Sequence, residues 1–158
     1  MENICEICRT KNLPTVLDLG KHPLCDDLIK IGENKKNKLY KIEIIYCKKC
    51  ITAYQKYQVP KKKLFPPNYH YRSKFTKDVI SGLNDVVQNS KRLIGSLKGK
   101  VVLDVGCNDG SLLDIFKKEK SITLGIEPTN SAYEAKAKGH KIYKSYIYNK
   151  NKKLPFVT

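Results

Sequence analysis

Long apolar runs are missing from this chain, and so is an export signal. No stretch approaches the run of about 18 apolar residues that a membrane-spanning helix needs. The first residues, Met1-Glu2-Asn3, do not begin the apolar core of a signal peptide. We therefore expect a soluble cytoplasmic protein that has no membrane partner.

Arginine is also scarce, although the chain is strongly basic. Only three of the 31 basic residues are arginine, and the formal net charge is +16. Bidentate recognition of phosphate and of guanine favours the arginine guanidinium group, and the lysines are spread along the whole chain. A solvated lysine surface is therefore favoured over a nucleic-acid partner, which stays the weakest of three functional alternatives. A positive field would still attract an anionic substrate such as a nucleotide sugar.

Four of the six cysteines form two C-x-x-C pairs. Cys5 and Cys8 stand near the start of the chain, and Cys47 and Cys50 follow an apolar strand predicted over residues 39–46. In a cytoplasmic chain such pairs indicate a metal site and not a disulfide framework. Two intervening residues let both thiolates of a tight turn face one point, so four sulfurs would complete a tetrahedral structural zinc site. A redox pair and four unrelated buried thiols are less favoured alternatives.

Residues 1–60 as a whole are predicted to be a small zinc-binding module. Residues 16–28 are expected to form a short strand, a turn and an irregular segment, and residues 51–59 could form another strand. His22 and Cys25 could in principle be ligands, but four thiolates already fill a zinc site, so Cys25 is predicted to be a small buried residue. A segment this short has little apolar core, and the metal would supply much of its folding energy.

Residues 61–98 are predicted to be a linker followed by a long amphipathic helix. Pro66 and Pro67 mark the linker. Apolar residues at spacings of three and four predict the helix over residues 74–94. We call residues 69–73 the tyrosine segment; its sequence is Tyr69-His70-Tyr71-Arg72-Ser73. This segment could contact a substrate, or its aromatic residues could simply mark a domain boundary.

Residues 99–147 change to alternating strands and helices, a pattern typical of a parallel sheet. The first strand is apolar in four of the five residues Val101–Val105, which is typical of a strand buried on both faces. The tail, residues 148–158, is polar and lysine-rich and is predicted to be disordered. The predicted elements are a strand at 100–105, a helix at 110–119, a strand at 121–127, a helix at 130–138 and a strand at 141–147.

A glycine turn after the first of these strands carries the candidate chemistry. Gly106 and Gly110 bracket it, and glycine can adopt positive φ and let a ligand lie against the backbone. Glu127 ends the next strand, where doubly wound folds hold the hydroxyl groups of a ribose. Packing alone would favour apolar residues in place of Asp104 and Glu127. The sequence therefore predicts an adenosine-type cofactor, and a turn that merely needs glycine is the less favoured alternative.

Taken together, these motifs resemble one family, the S-adenosylmethionine-dependent sugar C-methyltransferases. The resemblance is carried by the two C-x-x-C pairs, the tyrosine segment and the run Asp-Val-Gly-Cys-Asn-Asp-Gly-Ser-Leu-Leu from Asp104 to Leu113. Asn108 makes the turn more specific, because most class I enzymes have glycine there. The implied α/β fold is a small zinc-binding N-terminal module followed by the first part of a Rossmann-like class I methyltransferase domain.

The resemblance implies two cofactors, zinc and S-adenosylmethionine, and a nucleotide-sugar substrate. Zinc would take the four paired cysteines, and Glu127 would hold the ribose. Tyr69 or Tyr71, together with Ser73, would lie at the cofactor and substrate cleft, and Tyr69 and Tyr71 are the catalytic candidates. In the family a base removes a proton next to a sugar ketone, and the enolate attacks the methyl group. The residues implied for S-adenosylmethionine are Asp104, Gly106, Cys107, Asn108, Asp109, Gly110 and Glu127, with Cys107 fitting beside the cofactor.

The resemblance also implies a sheet that continues beyond the three strands predicted here. The first strand would then be an open apolar edge. We therefore expect the N-terminal portion of a methyltransferase, which on its own would bind S-adenosylmethionine poorly and turn over nothing. The alternative is a non-catalytic zinc-binding or interaction fragment.

Overall fold

The structure, a computed structural model, describes residues 3–25 and 27–147. The chain divides into two compact units, residues 1–64 and residues 65–158. The tail predicted to be disordered lies outside the described residues. Within those residues, no helix combines the length and the apolar character that crossing a membrane requires.

The first unit is an antiparallel sheet with the strand order β1-β2-β3. Its buried core is small. In the described residues this core consists of Leu13, Ile45, Cys5 and Cys47. Half of this core therefore consists of the residues predicted to hold zinc. The elements of the unit are β1 (Thr15–His22), β2 (Tyr40–Cys47), β3 (Thr52–Gln55) and the short helix α1 (Lys61–Leu64).

The prediction that Cys25 is buried is wrong, because its side chain is exposed. Cys25 follows β1 in a segment without helix or strand, and this segment does not contribute to the buried core. The exclusion of Cys25 as a zinc ligand did not imply that its side chain is buried, because a core this small has little room for further side chains. The third strand is also shorter than predicted and ends at Gln55.

A buried carboxylate lies in the middle of β2. Glu43 is only 4% exposed and accepts hydrogen bonds from the ammonium group of Lys41, from that of Lys56 at 2.8 Å, and from the Thr15 hydroxyl at 3.3 Å. The bonds from Lys41 and then Lys56 lower the pKa of Glu43 to about 2. The charge is therefore compensated where the sheet buries it, as a buried ion pair requires.

The second unit is a three-stranded parallel sheet with the order β4-β5-β6. Helices link the strands, as in the first part of a Rossmann-like domain, so the predicted α/β class is confirmed. The long helix packs on α3 through Val87 and Phe116. The elements are a 3-10 turn (Ser73–Phe75), α2 (Lys77–Ile94), β4 (Val101–Val105), α3 (Ser111–Lys118), β5 (Ile122–Ile126), α4 (Ser131–Ala137) and β6 (Lys141–Tyr143).

The prediction that β4 is buried on both faces is not met in the described residues. Val101, Leu103 and Val105 are 66%, 41% and 51% exposed, whereas Val102 on the opposite face packs against the helices. Strand β4 pairs there with β5 alone. The apolar composition predicted a covered strand, but burial depends on which elements lie against each face, and α2 and α3 lie on one face.

Candidate metal centre and cofactor site

The four paired cysteines lie together in the first unit. Their sulfur atoms are all within 4.8 Å of one another. The Sγ atoms of Cys5 and Cys50 are 3.4 Å apart, and those of Cys8 and Cys47 are 3.5 Å apart. Four sulfurs at about 2.3 Å from a tetrahedral zinc ion would be separated by about 3.8 Å. The spacing of the cluster therefore fits four ligands of a single zinc ion.

Four clustered thiols need a cation before all of them can ionise. The N–H group of Cys8 lowers the pKa of Cys5 to about 5, and the Thr10 hydroxyl lowers the pKa of Cys8. The Thr52 hydroxyl lowers the pKa of Cys50, but burial and the three neighbouring thiols raise it to about 12. A zinc ion supplies the charge that favours four thiolates. The donor set therefore fits zinc in its chemistry as well as in its geometry.

Each C-x-x-C pair continues into the same local structure. The next residues, Arg9 and Ile51, have positive φ angles of 60° and 54°. Thr10 and Thr52 follow, and their hydroxyl oxygens lie 3.2 Å and 3.4 Å from the second sulfur of each pair. A positive φ is costly for a β-branched residue such as Ile51, so this strain is stored where the chain turns around the metal.

The two threonines were not predicted from the sequence to belong to the site. Groups that hydrogen-bond to metal ligands orient them and tune their basicity, and Thr10 and Thr52 occupy that position. A signal was available, because C-x-x-C-x-T occurs twice, at residues 5–10 and 47–52. The repeat extends the metal motif by two residues at each pair.

The predicted glycine turn joins β4 to α3 and is anchored to the end of β5. The N–H groups of Gly106 and Cys107 both donate to the carbonyl oxygen of Ile126, at 2.8 Å and 3.2 Å. This anchoring places the turn beside Glu127, the next residue along β5. Three residues of the turn have positive φ: Gly106, Asn108 and Gly110.

The two glycines serve different purposes. A Cβ atom on Gly106 would meet no atom within 4 Å, so this residue leaves an open surface at the turn. A Cβ atom on Gly110 would lie 3.0 Å from Ala135 Cβ and 3.0 Å from His140 Cδ2. Gly110 therefore lets α3 approach α4 closely, whereas Gly106 supplies only the positive φ and a free face.

Replacing each glycine by alanine is expected to separate these two purposes. Gly106→Ala adds a Cβ at positive φ, which costs about 1–2 kcal/mol. Gly110→Ala adds the same strain and also an overpacking cost of about 1–3 kcal/mol. The free energy of unfolding of this variant should therefore fall by roughly 2–5 kcal/mol. Hydrogen exchange of the β4 and β5 amides measures both losses. Equal losses would contradict the contact with Ala135 and His140.

Glu127 is buried against the turn, with 5% of its surface exposed. One carboxylate oxygen accepts the N–H of Asn108 at 3.0 Å, and the other accepts the N–H of Thr129 at 2.8 Å. These bonds fix the orientation of the carboxylate. Each oxygen has a second lone pair, so two further donors, such as a pair of vicinal hydroxyls, can still be accepted. The structure thus brings together the two features that predicted the adenosine-type cofactor.

A second carboxylate adds negative charge near Glu127. Asp104 is half-buried, and burial followed by the charge of Glu127 raises its pKa. Burial, then Asp104 and Glu127, raise the pKa of Cys107 to about 12, which disfavours the thiolate form that a nucleophile needs. Its side chain packs in the core with Leu113 and against Gly125. Any contact of Cys107 with a cofactor would therefore come from its backbone.

The tyrosine segment is held at the turn. The side chain of Asn108 accepts the N–H of Ser73 at 3.2 Å and donates to the carbonyl of Tyr71 at 3.1 Å. Arg72 pairs with Glu134 of α4 at 2.5 Å and donates to the carbonyls of Tyr69 and Tyr71. The Tyr69 and Tyr71 rings are 6.4 Å apart. Both catalytic candidates therefore lie on a segment attached to the glycine turn.

Asp109 also connects the turn to neighbouring elements. It is fully buried, and its carboxylate accepts the hydroxyl of Ser111 at 2.6 Å and the N–H of Lys74 at 3.3 Å. Its carbonyl accepts the ammonium group of Lys138 at 2.7 Å. These contacts support the turn and the start of α3.

Comparisons with known proteins match both units. Residues 5–65 match the family model Methyltransf_13, described as a proposed zinc-binding domain. Residues 87–152 match the family model of the methionine biosynthesis protein MetW. The C-methyltransferase NovU of Streptomyces niveus is 21% identical over 128 residues, which cover 80% of this chain and 30% of NovU. The chain thus spans about a third of the length of this relative, and the matches together support a relationship to methyltransferases with an N-terminal zinc-binding domain.

Proposed function

We propose that the second unit binds S-adenosylmethionine at the glycine turn and serves a methyltransferase that acts on a carbon atom of a nucleotide-linked deoxysugar. The observation that carries this proposal is the position of Glu127, whose carboxylate accepts the N–H of Asn108 at 3.0 Å. The carboxylate and the open face of Gly106 lie at the same edge of the parallel sheet. That edge, at the carboxyl ends of the strands, is where such sheets bind ligands.

The charge of the site supports a cofactor that carries a cation. Asp104 and Glu127 are close enough that the charge of Glu127, after burial, raises the pKa of the Asp104 carboxyl group. Two carboxylates in a desolvated site attract positive charge, and the sulfonium and ammonium groups of S-adenosylmethionine are positive. When bound, this cofactor supplies an electrophilic methyl group. The residues of this chain would bind the cofactor, orient it and exclude water.

The substrate class is inferred from other features. NovU is named a C-methyltransferase, which supports transfer to carbon. The net charge of +16 favours the approach of an anionic nucleotide sugar. Tyr69 and Tyr71 lie on the segment held at the turn and are the proposed contacts with this substrate.

Isothermal titration calorimetry with S-adenosylhomocysteine tests the proposed cofactor. We expect one ligand to bind per chain, with the low affinity that the resemblance implies for this portion of the enzyme. NAD is the matched control, because a glycine turn followed by an acidic strand end also occurs in dinucleotide-binding folds. Binding of NAD in preference to S-adenosylhomocysteine would identify a different cofactor class, and binding of neither would reject the cofactor site.

A second candidate is a non-catalytic zinc-binding interaction module. The exposed apolar face of β4, formed by Val101, Leu103 and Val105, favours it. Methylation of a deoxysugar nucleotide by this chain with S-adenosylmethionine would reject the interaction module. Absence of turnover is expected from both candidates, so binding of S-adenosylhomocysteine, and its weakening by Glu127→Gln, separates them.

A further inference from the structure

Asn108 occupies a backbone conformation that glycine adopts more readily. Its φ is 49°, in the left-handed region. Its side chain is buried, with 9% of the residue exposed. Since glycine would satisfy the backbone at this position, the structural reason for asparagine lies in what its side chain contacts.

The polar atoms of Asn108 join three parts of the second unit. The backbone N–H donates to Glu127, the side-chain oxygen accepts the N–H of Ser73, and the side-chain NH2 group donates to the carbonyl of Tyr71. The two side-chain bonds connect residues 35 and 37 positions apart in the sequence. The whole of α2 lies between them, so local structure alone does not bring the tyrosine segment to the turn.

We propose that Asn108 is a positioning residue that couples cofactor binding at the turn to the order of the tyrosine segment. The inference rests on the proposed function. A ligand that engages the Glu127 carboxylate restrains the backbone N–H of Asn108. The same residue then holds the main chain on both sides of Arg72. Tyr69 and Tyr71 are thereby kept in place when the cofactor is bound.

The N–H group of Lys74 is also held at the turn, by Asp109, but a further attachment through α4 does not involve the turn. Arg72 and Lys74 both pair with Glu134 of α4, at 2.5 Å and 2.7 Å. These ion pairs restrain the segment whether or not a ligand lies at the turn. They therefore provide a matched control, since their loss should loosen the segment and leave the coupling intact.

Hydrogen exchange of the Ser73 amide, whose hydrogen-bond acceptor is the Asn108 side chain, tests the coupling in the full chain, with and without S-adenosylhomocysteine. If opening of the segment is incompatible with binding, ligand at 100 times its Kd should slow this exchange by up to about 100-fold. In Asn108→Gly, which keeps the positive φ and the N–H bond to Glu127, this slowing should fall below about twofold. Calorimetry should still detect the ligand. Glu134→Gln should exchange faster without ligand but retain the slowing.

The outcomes separate the two proposals. Full slowing in Asn108→Gly, or binding to the unaltered chain without any slowing, would overturn the coupling and leave the cofactor site standing. Absence of binding to the unaltered chain would overturn the cofactor site and the coupling with it. Faster exchange of the Ser73 amide in ligand-free Asn108→Gly would confirm that the side chain holds the segment.

Discussion

Cys47→Ser is expected to release zinc from the chain and to unfold residues 3–64. Cys47 is fully buried, and its sulfur lies 3.5 Å from that of Cys8. A serine oxygen is a poor replacement for a thiolate ligand of zinc. Metal analysis should find one zinc per unaltered chain and none in the variant. Hydrogen exchange should show loss of protection in β2 and β3, while β4 and β5 stay protected.

The size of this effect follows from how little else stabilises the first unit. Structural zinc sites contribute an apparent free energy of about 10–16 kcal/mol at neutral pH. The two core residues that are not cysteines, Leu13 and Ile45, supply only about 1.5–3 kcal/mol each on burial. Ordering each residue of the backbone costs about 1–2 kcal/mol. The apolar core therefore does not sustain the fold once the metal is lost.

Cys25→Ser is the matched control for this experiment. Cys25 carries the same thiol in the same unit, but it is exposed and lies outside the four-sulfur cluster. Its replacement should leave the zinc content and the exchange pattern unchanged. Zinc loss in Cys25→Ser, or a full zinc complement in Cys47→Ser, would contradict the assignment of the four ligands.

The features that the sequence predicted well depend on short-range geometry. Two residues between cysteines fix a tight turn, so the cluster at Cys5, Cys8, Cys47 and Cys50 followed from spacing alone. The strands and helices around Gly106 and Gly110 followed from apolar periodicity and from glycine at the turn. The convergence of Glu127 with the turn followed from the parallel sheet, since the carboxyl ends of its strands meet at one edge.

The features that the sequence did not predict depend on contacts between distant residues. The apolar composition of β4 did not reveal that Val101 would be exposed, because burial is decided by the elements that cover each face. The burial of Cys25 was wrongly inferred from its exclusion as a zinc ligand. The polar contacts of Asn108 with Tyr71 and Ser73 join positions 35 to 37 residues apart, and no local pattern encodes such a pairing.

Glu127→Gln is expected to weaken binding of S-adenosylhomocysteine by about 100-fold or more. Hydrogen bonds to a charged group contribute about 1.5–3 kcal/mol each, and the proposed ribose contact uses two. The substitution removes the charge and replaces one acceptor oxygen by an NH2 group. Calorimetry measures the loss. Glu119→Gln, which alters an ion pair with Lys91 at the end of α3, is the control and should bind as the unaltered chain does.

Glu127 also accepts the N–H groups of Asn108 and Thr129, so its replacement can also disturb the turn. A ligand without ribose hydroxyls distinguishes that disturbance from the loss of a direct contact with the ribose. The 2′,3′-dideoxy analogue of S-adenosylhomocysteine should bind the unaltered chain about 100-fold more weakly than the parent ligand, since each lost bond to the carboxylate is worth about 1.5–3 kcal/mol. Glu127→Gln should bind the two ligands with similar, low affinity, because the hydroxyls then have no carboxylate to meet. This pattern is the coupling that a double-mutant cycle measures. If Glu127→Gln weakens both ligands by the same factor, the carboxylate acts by shaping the turn through Asn108, and the ribose lies elsewhere.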